Sequence, residues 1–126
     1  MSNLANENTS LSLDLSYLLE VGNNNLAFVE KMLTHFKSDI PSLLADLKES
    51  IILKEATEVK LKAHKAKSVA GYLNDQILHS LMQEIEEDGA KDRIGKSTNL
   101  KFEIASLHFL KLCAEIEAYL EIADSG

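Results

Sequence analysis

Apolar residues return every three or four positions in four separate stretches of this chain, and that rhythm limits its fold more than any other feature. A helix of 3.6 residues per turn gathers such positions on one face, whereas a half-buried strand needs alternation by two. The longest stripe is Leu26, Val29, Leu33, Phe36, Ile40, Leu43, Leu47 and Ile51. Pro41 falls inside it and removes a backbone donor, so a kink near Ser38 to Ile40, or a restart there, is expected; the unbroken phase favours the kink. A second stripe, Ala56, Val59, Ala63, Ala66, Ala70 and Leu73, predicts a helix from Glu55 to Leu73 whose small residues let a neighbour approach closely. A third carries Ile77, Leu78, Leu81, Met82 and Ile85 and ends near Asp88 and Gly89. The last runs through Phe102, Ala105, Phe109, Leu112, Ile116 and Tyr119.

The breaks between stripes carry recognisable stop and start signals. DLSYLLEVG offers Asp14 as an N-cap and Gly22 as a stop for a short first helix; Asn23 to Asn25 supply a turn and a cap, and Asp75 caps the helix after Asn74. DGAKDRIGKSTN, residues 88–99, shows no stripe and predicts the longest connection. The expected fold is therefore all-α: an antiparallel up-down-up-down four-helix bundle, with the short additional N-terminal helix as a lid over one end. Residues 1–12 are polar without a period and read as a flexible tail, leaving 13–122 as the bundle domain. At 126 residues and 45% hydrophobic, the chain can build one core but not two.

A formal charge of −7 argues against nucleic acid as a partner, because phosphate backbones need a broad basic surface. Membrane insertion is not expected: no apolar run approaches ~20 residues, and the start lacks a cationic and apolar leader. Cys113, the single cysteine, fits a reducing cytoplasm and reads as a small core residue. There is no glycine-rich phosphate loop, so no ATP site or autonomous kinase activity is expected. His35, His79 and His108 fall on separate helices without cysteines nearby, so no metal site is expected either.

One stretch departs from the acidic balance. KLKAHKAKSVAGYL, residues 60–73, sets His64 among four lysines. On the helical wheel His64 lies about 130° from the centre of the alanine seam and should face solvent. Lys60 and Lys67 fall one turn before and after it on the same side, with Ser68 at i+4 and Gly71 at i+7. Leu61 and Tyr72 lie near the outward face; burial of Tyr72 under the short first helix is an equal possibility. The cluster is either an ordinary solvated face or a surface for something anionic, the latter accounting for why repelling lysines are kept together.

AHKAKSVAGYLN resembles the signature of histidine phosphotransfer (HPt) domains: a histidine, a lysine three positions later, small residues, then a leucine. His64, Lys67, Ser68 to Gly71 and Leu73 match that layout, and DLSYLL with NNNLAFVEKMLTHF resembles the family's first two helices, so the similarity spans roughly Ser12 to Leu120. Ser68 stands where the family usually has glycine, which bears on how tightly a partner docks. The resemblance implies a phosphoryl carrier, not an enzyme, in which His64 takes a phosphoryl group from an aspartyl phosphate and passes it on. The partners would be a response-regulator receiver domain or a hybrid histidine kinase. It further implies that Glu86 accepts a hydrogen bond from the ring of His64 and orients it; the alternative is that Glu86 is a plain exposed glutamate in the run EIEED. Lys67 would neutralise phosphoryl oxygens, with Lys60 and Lys65 adding attraction, and Leu61, Ala70, Gly71, Ser68 and Tyr72 would form the docking face. No cofactor of its own is implied, Mg²⁺ belonging to the receiver, and the carrier is expected to be a monomer. The alternative is a helical adaptor, or a degenerate relative, that binds a receiver without transfer.

Overall fold

A computed structural model describes residues 13–125; the expected tail, residues 1–12, lies outside the described residues. Five helices follow one another: α1 (Ser16–Val21), α2 (Leu26–Ile52), α3 (Ala56–Tyr72), α4 (Gln76–Ala90) and α5 (Lys96–Ser125). The four long ones form an antiparallel bundle in which α2 and α4 each pack on both α3 and α5, which places α5 across the bundle from α3. Among the described residues no helix is long and apolar enough to cross a membrane.

The stripes become the core. Val29, Leu33, Phe36, Ile40, Leu47 and Ile51 of α2 meet Val59, Ala63, Ala66, Ala70 and Leu73, Leu78, Met82 and Ile85, and Phe102, Ala105, Phe109, Leu112 and Ile116, all buried. Some positions differ from expectation. Leu44 is buried and Leu43 half-buried, while Leu26 and Ile77, each in the first turn or two of a helix, are exposed. Ala56 and Tyr119 lie at the rim, and Cys113 is half-buried against the core rather than inside it. α2 passes through Pro41 as one element, so the alternative of a restart is not what forms.

Side chains that accept from first-turn amides start α2 and α4. Asn25 Oδ1 accepts from Phe28 N at 3.2 Å and Asp75 Oδ1 from Leu78 N at 3.0 Å. Left-handed residues turn the corners: Asn23 and Asn24 before α2, Lys54 before α3, Asn74 before α4 and Asp92 before α5. Gly22 has an ordinary negative φ; it is needed because a Cβ there would collide with the Phe28 ring. α1 caps one end of the bundle, with Leu18 buried, Tyr17 against Tyr72, and Asp14 Oδ2 accepting from Asn74 Nδ2 at 2.8 Å.

The connection expected over 88–99 is the longest between helices among the described residues, but its length is corrected. α4 continues to Ala90 and α5 begins at Lys96, leaving only 91–95 between them. Buried Asp88 staples this corner: Oδ1 accepts from Arg93 Nε at 3.1 Å, and Oδ2 from Thr98 Oγ1 at 2.7 Å and Lys101 Nζ at 3.2 Å. Gly89 does not stop the helix either. It lets α4 lie on α3 so closely that a Cβ would come within 2.7 Å of Lys60 N and 2.8 Å of Ala56 O.

Candidate functional site

The alanine seam of α3 is sealed against the bundle, and this turns His64 outward with 59% of its side chain exposed. Its Nδ1 lies 3.2 Å from Glu86 Oε2 on α4. An ionised carboxylate can only accept, so in the neutral ring Nδ1 carries the hydrogen and Nε2 keeps its lone pair. Among the described residues Nε2 has no partner, and it faces solvent as the available nucleophilic nitrogen.

Glu86 is held on both sides. Its side chain is 17% exposed, and the solvent-shielded Oε1 has the Lys67 ammonium 2.7 Å away. Burial alone would push this carboxyl's pKa up, but the hydrogen bonds from Lys67 and His64 outweigh it and hold the group below its ordinary value. Lys67 therefore differs from the exposed charge expected beside His64: it too is only 17% exposed. On the wheel it lies between the seam and His64, and from that boundary its long side chain reaches α4. There Nζ also donates to Gln83 Oε1 at 2.8 Å, and Gln83 Nε2 donates to Glu87 Oε2 at 2.9 Å. Gln83, one turn before Glu86, thus positions the lysine and not the histidine.

The remaining predicted residues fall into distinct groups. Lys60 and Lys65 are exposed and have no ion-pair partner among the described residues, whereas Lys62 turns back to Glu58 at 2.9 Å. Leu61 is 52% exposed. Ser68 Oγ donates to the His64 carbonyl at 3.2 Å, so the hydroxyl folds along its own helix. Gly71 is open: the nearest atom to a Cβ there is His79 Cδ2 at 4.0 Å. Tyr72 combines the two expectations, its ring lying on Tyr17 and Phe36 while 37% of the residue remains exposed. Ala70 is fully buried in the seam and is not part of the surface.

Away from this face, His35 pairs with Asp39 on one exposed turn, and His108 Nε2 lies 2.8 Å from buried Asp75 Oδ2. Among the described residues no group of three or more His, Cys, Asp or Glu is arranged to hold a metal ion. Gly89 is the residue here that sequence reasoning missed. It stands one turn after Glu86 and opposite Lys60, one turn before His64, so its close contact lies next to the His64–Glu86 bridge. The signal was a glycine in phase with the apolar stripe, four residues after Ile85.

The site is thus an exposed histidine on the second long helix of a four-helix bundle, oriented by a carboxylate from the third. The fold is that of an HPt domain: the chain is similar to the HPT domain from the Hpt sensor hybrid histidine kinase from Shewanella, with a TM-score of 0.75 and 14% identity. The match covers 87% of this chain and 94% of that one. At such identity the likeness is one of fold, and function has to be argued from the site. No protein-family model matches the chain, and neither does any curated protein.

Proposed function

We propose that this chain is a phosphorelay carrier, taking a phosphoryl group onto His64 from a receiver domain's aspartyl phosphate and passing it to another receiver. The observation that carries the reading is the His64 ring itself, exposed at Nε2 and held at Nδ1 by Glu86. In the forward step the Nε2 lone pair attacks phosphorus, the P–O bond to the aspartyl group breaks, and the receiver's carboxylate leaves with the electron pair. Nδ1 keeps its hydrogen, so positive charge grows on the ring, where ionised Glu86 stabilises it. Catalysis of such a transfer is positioning and charge stabilisation, because its loose transition state spreads negative charge over the equatorial oxygens.

Lys67 Nζ is placed to share its charge between Glu86 and those oxygens, and Lys60 and Lys65 attract an acidic receiver pocket over a screening length of ~8 Å. Any Mg²⁺ in the reaction belongs to that pocket. Leu61, Tyr72 and the open backbone at Gly71 give the face its apolar part, and Ser68 adds little bulk because its hydroxyl is turned onto the helix. The work takes place in the cytoplasm, where receivers reside.

Incubation with a phosphorylated receiver tests this. Acid-labile, base-stable label should appear on wild type and be absent from His64→Gln. Receiver binding without label, across several receivers, would refute the carrier and leave the adaptor.

A further inference from the structure

The last helix has two apolar faces. One is the core stripe; on the opposite side Leu100 is 62% exposed, Ile104 49%, Leu107 72% and Leu110 52%. At ~100° per residue, Leu107 points almost directly away from the mean of the buried set, Leu100 lies within ~20° of it, and Ile104 and Leu110 flank it by ~60° on either side. Four large side chains on one solvent-facing patch differ from singly scattered ones and mark an interaction surface.

We propose that this face of α5 pairs with a second copy of the chain, antiparallel, about a two-fold axis through Leu107. The register follows from charge. With the axis at Leu107, Leu107 meets its own copy, Ile104 covers Leu110 of the second copy, and Leu100 covers Ala114. Glu103 comes to lie opposite Lys111 twice, once on each side of the axis. Moving the axis to Lys111 sets lysine on lysine, and a parallel pairing stacks each charge on its like. The antiparallel register at Leu107 matches apolar with apolar and acid with base throughout, which is what selects a second copy over an unrelated partner.

Because α5 lies across the bundle from α3, the pairing leaves both His64 faces uncovered, each pointing away from the two-fold axis. Two receivers could then dock at once. The inference departs from the monomer expected from the sequence and stands independently of what His64 does.

The test is sedimentation velocity on the full chain from about 1 µM to about 1 mM, a range suited to a small interface. Wild type should shift from monomer to dimer with concentration. Leu107→Lys should remain monomeric throughout. Glu103→Lys and Lys111→Glu should each weaken association about tenfold, and the double variant should restore it. Circular dichroism checks that these surface variants keep the fold. A wild type that stays monomeric throughout overturns the proposal, including by residues 1–12 covering the face; Leu13 N already donates to Glu115 of α5. Failure of the double variant to restore association overturns it as well, by showing that another surface pairs.

Discussion

Gly89→Ala tests whether the close approach of α3 and α4 is what builds the site. An alanine Cβ would stand 2.7 Å from Lys60 N and 2.8 Å from Ala56 O, both backbone atoms that cannot rotate away, while ordinary contacts begin at 3.4 Å. The helices must part there by some 0.7 Å. Such overpacking costs about 1–3 kcal/mol, partly offset by the ~1 kcal/mol that alanine gains over glycine inside a helix. The expected net loss is about 1 kcal/mol, or ~4 °C in melting temperature for a chain of this size.

The displacement also reaches the chemistry. Lys60 precedes His64 by one turn and Gly89 follows Glu86 by one turn, so parting them stretches a His64–Glu86 contact that is already 3.2 Å. In the proposed transfer, the step to His64 should slow about tenfold, by analogy with the loss seen when a partner that orients a metal-bound imidazole is removed. Gly71→Ala is the control: its Cβ meets nothing nearer than 4.0 Å, so it should stabilise by about 0.5–1 kcal/mol through helix propensity alone. Thermal melts and single-turnover phosphotransfer read both effects. If Gly89→Ala stabilises as Gly71→Ala does, and transfers at the wild-type rate, the close approach has no role in the site.

Two other variants probe the charges. Lys67→Ala should cost about 1–3 kcal/mol in urea unfolding because it leaves the shielded Glu86 Oε1 without its cation, whereas exposed Lys60→Ala should stay within about 0.5 kcal/mol; equal effects would contradict the burial of Lys67. For Asp88, burial would raise the carboxyl's pKa, but bonds from Thr98, Arg93 and Lys101 hold it below the ordinary 3.8. A lowered folded value means its contribution is present above 3.8 and lost as pH falls through the folded value. Asp88→Asn should therefore be less stable than wild type at pH 7 and converge on it in acid. Glu86, which titrates downward from 4.5, is common to both proteins, so the difference between their urea curves isolates Asp88; a gap constant with pH would refute the assignment.

The bundle was legible because period 3.6 is a property of the sequence itself, and Val59, Ala63, Ala66 and Ala70 could be assigned to one buried face before any packing was known. What the wheel cannot supply is the neighbour. Whether Leu43 or Leu44 turns inward depends on where α3 and α5 lie, and Ile77 is apolar yet exposed because the bundle ends beside it. The 88–99 segment hid its structure for a related reason. Its order comes from one buried aspartate bonding to Arg93, Thr98 and Lys101, polar contacts that leave no hydrophobic period. Gly89 read as a stop because glycine usually is one; its reason for being there is the backbone of another helix, at Ala56 and Lys60, which a wheel of α4 alone does not display.

The lysines around His64 show the same limit and what lies beyond it. In the sequence the four are equivalent and their repulsion calls for an anion. In the fold they are sorted: Lys62 is neutralised by Glu58 and Lys67 by Glu86, which leaves Lys60 and Lys65 as the two of the four with no ion-pair partner among the described residues. The resting face is thus less basic than its sequence. Its central cation is nonetheless held in place, since Gln83 fixes Lys67 Nζ at 2.8 Å independently of Glu86. In the proposed transfer, charge growing on the imidazole draws Glu86 toward His64 just as the phosphoryl oxygens draw on Lys67. One ion pair at rest then becomes two, without either side chain having to be recruited from solvent.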